Sequence, residues 1–125
     1  MATSGSTAVV GAIGKNSLAG AAYVFVRSGT TWSQQAELTA SHAAAFDGFG
    51  DSVAISGLTA VIGTLGNSNG GAAYVFLRSG TTWPQQAELK ASDAVRHDEF
   101  GRSVAISGSS AFVGASGAAY AFGNV

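Results

Sequence analysis

Ala21-Ala22-Tyr23-Val24-Phe25-Val26-Arg27-Ser28-Gly29-Thr30-Thr31-Trp32 returns 51 residues later as Ala72-Ala73-Tyr74-Val75-Phe76-Leu77-Arg78-Ser79-Gly80-Thr81-Thr82-Trp83, with Leu77 for Val26 as the single change. An internal period of this length with strand-like content marks a blade array, because one such unit cannot bury its apolar face alone and must stack on a neighbour. The copies stay in step beyond this stretch. Gln34 to Leu38 matches Gln85 to Leu89, and Phe49 to Gly57 matches Phe100 to Gly108 with Arg102 in place of Asp51.

Partial copies flank the two full ones. Ser4 to Ala12 corresponds to Ser56 to Thr64, and Ala118 to Phe122 is a third, shortened Ala-Ala-Tyr segment, 46 residues after Ala72. The chain reads as a single repeat domain, residues 1–125, of nearly three units. Blade one is 1–46 with a truncated first strand, blade two is 47–97, and blade three is 98–125 without a fourth strand.

Period-two alternation and turn residues divide each unit into four strands, about eleven in the chain. In the second unit, Ser52 to Ser56 sets Val53 and Ile55 on one face, and a turn at Ser56-Gly57-Leu58-Thr59 leads to Ala60 to Thr64 with Val61 and Ile62 on opposite faces. Ala72 to Arg78 is apolar on both faces, as in a strand covered on both sides. Trp83 to Lys90 alternates, with Trp83, Gln85, Ala87 and Leu89 expected on one face. Pro84 lacks an N–H for a ladder, and Glu88 and Lys90 discourage further pairing, so this fourth strand belongs at an edge. The fold class expected is all-β: four-stranded antiparallel meanders running from an inner first strand to an outer fourth strand, as in a β-propeller.

Composition narrows the function. The chain is 46% hydrophobic and only 10% charged, with 18 glycines among 125 residues, which suits a β protein rich in turns better than a helical bundle. A net charge of −1 gives no electrostatic case for nucleic acid. No apolar run approaches the roughly 18 residues of a membrane-spanning helix, so membrane insertion is not expected. Residues 1–5 lack the basic and apolar regions of a secretion signal. Without cysteine there are no disulfides, thiolate metal sites or cysteine nucleophiles.

Phe49-Gly50, Ser52-Val53-Ala54-Ile55 and Val61-Ile62-Gly63-Thr64, repeated at Phe100-Gly101 to Val113-Gly114-Ala115, resemble the FG-GAP repeat of integrin α-subunit propellers and bacterial surface proteins. Val9-Val10-Gly11-Ala12 is the tail of a further copy. The closing proline of that motif is replaced by Ile13, Leu65 and Ser116. The resemblance implies a non-catalytic interaction module, extracellular or at a cell surface, that binds a protein through its loops. The alternative is a lectin-like propeller with repeated carbohydrate sites.

Many FG-GAP repeats carry an acidic calcium loop between the first and second strands. Here the loops Ser56 to Thr59 and Ser107 to Ser110 contain no carboxylate, whereas calcium takes six to eight oxygen ligands, many from carboxylates. No metal or cofactor is expected. Any calcium ligands missed by this reading would be Asp47, Asp51, Asp98 or Glu99.

The candidate binding residues lie in the longer connections. Phe46 and Asp47 in one copy, and His97, Asp98 and Glu99 in the next, precede the Phe-Gly pairs, and Asp47 and Asp98 are equivalent. Their bland reading is an Asx turn; their functional one is a polar recognition rim. His42 and His97 fall at different positions of the repeat and match no metal spacing. Asn67 and Asn69, in the Gly66 to Gly71 connection, are amides suited to hydrogen-bonding a ligand. That connection lacks the lysine and helix of a phosphate loop. No Gly-x-Ser-x-Gly elbow or accompanying base suggests an enzyme. Trp32, Trp83, Tyr23, Tyr74 and Tyr120 recur as packing residues before they are sugar platforms.

Nearly three blades per chain, against about four to eight in closed propellers, predict homo-oligomerisation. A homodimer of about six blades fits that range best. A trimer is the alternative.

Overall fold

A computed structural model of the chain describes residues 1–15, 19–41, 47–64, 71–90 and 99–125. Eleven strands are found among them, in three antiparallel sheets. The first holds β1 (Ala2–Ser4), β2 (Thr7–Ala12), β3 (Ala21–Ser28) and β4 (Thr31–Leu38). The second holds β5 (Ser52–Ser56), β6 (Thr59–Thr64), β7 (Ala72–Leu77) and β8 (Gln85–Leu89). The third has β9 (Ser103–Ser107), β10 (Ser110–Ala115) and β11 (Ala118–Phe122). Spatial order follows chain order in every sheet, so each is a meander. The four-stranded antiparallel units are those of β-propeller blades.

The blades stack face to face. Blade two is sandwiched. On one side Tyr74, Phe76, Ile62, Ile55 and Trp83 join Val9, Ala22 and Val24 of blade one around Phe49. On the other, Val61, Ala73 and Val75 join Ala111 and Val113 of blade three around Phe100. This accounts for the doubly apolar third strand: Ala72 to Phe76 is buried throughout because alternate residues enter two different cores. The first strands of neighbouring blades lie together, β5 against both β1 and β9, on the inner side of the array. The fourth strand is the outer edge, as expected from Pro84, Glu88 and Lys90; Lys90 Nζ lies 3.5 Å from Glu88 Oε2.

The fourth strand departs from clean alternation. Val75 pairs with Ala87, but the next residue, Phe76, pairs with Gln85, so Gln86 is the extra residue of a β-bulge. The same irregularity recurs in blade one, where Val24 pairs with Ala36 and Phe25 with Gln34, leaving Gln35 unpaired in register. The bulge breaks the shared face expected for Trp83, Gln85, Ala87 and Leu89. Trp83 enters the core facing blade one, and Ala87 and Leu89 the core facing blade three. Through this one bulge the outer strand feeds both cores.

That strand also begins two residues later than expected, at Gln85. Pro84 cannot donate to β7, although its carbonyl accepts from Leu77 N–H at 3.1 Å. In blade one Ser33 stands in that place, and β4 runs from Thr31 without interruption.

Candidate functional site

Two kinds of surface arise from this architecture: a rim of connections, and the flat faces of the end blades. In a meander the connections after the second and fourth strands emerge at the same end. The structure ties them together there, with Gly20 bridging Phe49 and Gly71 bridging Phe100 in parallel fashion. All seven sequence-derived binding residues belong to these connections. Phe46, Asn67, Asn69, His97 and Asp98 lie outside the described residues, as does His42.

Asp47 and Glu99 are described, both partly buried, each just ahead of a Phe-Gly pair. Asp47 acts electrostatically on Tyr74, whose phenol is pushed well above its ordinary range, first by burial and then by the Glu88 carboxylate, with Asp47 adding a smaller push. Tyr74 donates its hydroxyl hydrogen to Glu88 Oε2 at 3.2 Å. Glu99 holds a left-handed backbone, φ 58°, at the place of Gly48, φ 71°. Both close the same turn: Asp51 N–H donates to Gly48 O, and Arg102 N–H to Glu99 O, each at 3.0 Å. The Glu99 carboxylate also accepts from Arg102 Nη1 at 3.1 Å. Among the described residues no three of His, Cys, Asp and Glu gather as a metal site would require.

The Phe-Gly pairs after these turns are the joints between blades. Phe49 is fully buried and stacks edge-on or tilted against Phe76 and Tyr74, centroids 6.0 and 5.6 Å away. Phe100 makes the corresponding contacts with Phe122 and Tyr120 at 6.0 and 5.2 Å. Behind each phenylalanine the glycine presses onto the preceding blade. A Cβ on Gly63 would overlap the Gly101 carbonyl oxygen, and one on Gly11 would overlap that of Gly50. Ser52, paired with Gly63, donates its hydroxyl hydrogen to the Gly101 carbonyl at 2.7 Å. Sequence reading singled out the Phe-Gly pairs but missed Ser52 and Gly63 as their seat. The signal available was that both recur 51 residues on, as Ser103 and Gly114.

A family model described as FG-GAP repeat matches residues 32–76 and 83–123. The chain belongs to the FG-GAP repeat family. A search of curated proteins finds none that matches it. In this FG-GAP chain the two motif halves meet across a blade junction: the Phe-Gly of one blade seats on the Gly of the preceding blade's second strand.

The tryptophans separate according to neighbours. Trp83 is 6% exposed and donates its Nε1 hydrogen to Gln35 Oε1 of blade one at 2.8 Å. It is a packing residue, as its recurrence suggests. Trp32, in the same local sequence, is 45% exposed and has the Arg27 guanidinium 5.7 Å above its ring. It belongs to the blade-one face whose counterpart on blade two is covered. The opposite end of the stack is also open: Phe112 is 47% exposed, beside a shallow cavity of about 440 Å3 bordered by Ser103, Gly114, Ala119 and Ala121.

Proposed function

We propose that this chain is a non-catalytic β-propeller interaction module that holds a protein partner on its connection rim, outside the cell or at a cell surface, and that two copies close one ring. The observation that carries the ring is the match between its two open ends. The Tyr23, Phe25 and Trp32 face of blade one is of the kind blade two turns toward blade one, through Tyr74, Phe76 and Trp83. The Phe112, Ala119 and Ala121 face of blade three is of the kind blade two turns toward blade three. Apolar faces of this sort are covered in natural sheets. Family membership and the position of Asp47 beside the Phe49 joint and of Glu99 beside the Phe100 joint support the binding rim. The enclosure of Trp83 between blades favours a protein ligand over stacked sugars.

Analytical ultracentrifugation at micromolar concentration tests the ring: a dimer is expected, and a monomer refutes it. Affinity capture with cell-surface proteins tests the rim. A captured protein must be lost on Asp47→Ala with Glu99→Ala while the melting transition is retained. Binding on a glycan array without a protein partner would refute this reading.

A further inference from the structure

We infer that the end of the stack opposite the connection rim is a peripheral docking surface for a membrane carrying anionic phospholipids. This end is made of the turns after the first and third strands. Its apolar tips belong to blade two, which has a neighbour on either side, so no open blade face is involved. Leu58, in the turn between β5 and β6, is 56% exposed, and Leu77, at the end of β7, is 38% exposed. Thr59, next to Leu58, pairs with Leu77, so the two leucines belong to one patch. The fold does not require leucine at this tip. Blades one and three make the same turn with Ser6 and Ser109, each after a left-handed glycine like Gly57.

Charge is divided between the two ends. Glu37, Asp47, Asp51, Glu88 and Glu99 are all of the described aspartates and glutamates, and all lie toward the rim, with Glu37 and Glu88 paired with Tyr23 and Tyr74 near the rim ends of their strands. The turn end carries Arg27 and Arg78 and no described acidic side chain. In both blades the arginine N–H donates to the tip of the first turn, to Ser6 O and Leu58 O, each at 2.8 Å, which sets each arginine beside that tip. Each guanidinium stands over a tryptophan ring, 5.7 Å from Trp32 and 6.0 Å from Trp83, and Arg78 Nε donates to Gly80 O at 2.8 Å. Among the described residues neither arginine has an ion-pair partner, and the Nη donors of Arg78 are left for an anion outside the chain.

Exposed leucines beside cations, with no carboxylate to repel an anionic headgroup, have the chemistry of an interfacial contact: arginine meets lipid phosphate while leucine enters the boundary beneath it. A turn tip projects, and a fluid surface receives a projecting side chain without a matching pocket. The contact is peripheral, and no element crosses the bilayer. The same surface repels the acidic rim, so the molecule lands turn end first with the rim facing outward. The ring contact uses blade faces, and these turn tips stay free in a monomer and in a ring alike.

Flotation of the full chain with phosphatidylglycerol vesicles, and with phosphatidylcholine vesicles as the neutral control, tests the surface. Binding to phosphatidylglycerol alone is expected, weakening as salt rises. Leu58→Ser, which copies the turns of blades one and three, should weaken binding several-fold with the melting transition unchanged. Arg27→Gln and Arg78→Gln should each weaken it about fivefold, the factor for one cation near an anionic surface. Asp51→Asn, at the rim, should not weaken it. Absence of binding to phosphatidylglycerol at low salt overturns the inference, as does equal binding to both lipids or binding indifferent to Leu58→Ser. Vesicle binding lost on Asp47→Ala with Glu99→Ala would place the lipid on the rim and overturn it too. Loss of a protein partner in that double variant, with vesicle binding intact, shows two separate surfaces.

Discussion

Glu99 shows how a repeat reveals strain at one residue. Its φ of 58° is the conformation Gly48 adopts at φ 71° in the preceding copy, and L side chains pay about 1–2 kcal/mol there. The ion pair with Arg102 is half-exposed on both sides and is worth at most about 1 kcal/mol. Glu99→Gly should therefore raise stability by about 0.5–1 kcal/mol, read as a higher urea midpoint. A lower midpoint would mean that the carboxylate secures the joint more strongly than the ion pair suggests. At the joint the sign reverses. Gly63→Ala puts a Cβ onto the Gly101 carbonyl, a backbone atom with nowhere to move, and should cost at least about 2 kcal/mol, within the range for overpacking. Gly14→Ala, which meets open space, should fall within about 0.5 kcal/mol of wild type. Chemical denaturation of the pair checks both.

At the scale of the strand, much of the architecture was legible because period two is a direct imprint of the sheet. Val53 and Ile55, Val61 against Ile62, and Tyr74 and Phe76 against Val75 all enter the cores their alternation assigns. The bulge was not legible. Gln35 and Gln86 are ordinary polar residues with no glycine beside them, and nothing in their local sequence marks the register shift that lets Trp83 enter one core and Ala87 and Leu89 the other. The contrast between Trp32 and Trp83 was hidden for a related reason: their local sequences are nearly identical, and only a neighbouring blade distinguishes them. Of the rim, sequence reading located the connections but not their geometry, since turn residues fix where a chain bends better than what it meets. The bulge makes a sharp prediction. Deleting Gln86 restores plain alternation and turns Trp83 away from Gln35 and blade one, which should destabilise by about 3–5 kcal/mol, as for losing a large buried aromatic. Gln86→Ala keeps the residue count and should cost under about 1 kcal/mol. Equal effects of the two changes would show that the glutamine side chain, and not the bulge, matters.

At the scale of the molecule, a stack of like units draws its stability from each unit and from the joints between neighbours. Blade two has a joint on either side, through Phe49 and Phe100, whereas blade three has three strands, one joint and an open face. Its strands β9 and β11 have no fully buried residue: Val104, Ile106, Tyr120 and Phe122 pack against the second core while only partly buried, beside the fully covered Ala111 and Val113 of β10. Amide exchange should therefore be slowest in β6 and β7 and fastest in β9 and β11, opening locally rather than through global unfolding. Phe100→Ala removes the single plug of the second joint. It should release blade three first, leaving β1 to β8 with a separate, later transition, while Phe49→Ala, between the two four-stranded blades, should lower the main transition by about 3–5 kcal/mol. A Phe100→Ala protein that still melts in one step with uniform exchange would show that the inner strands, β5 against β9, couple the blades without the phenylalanine.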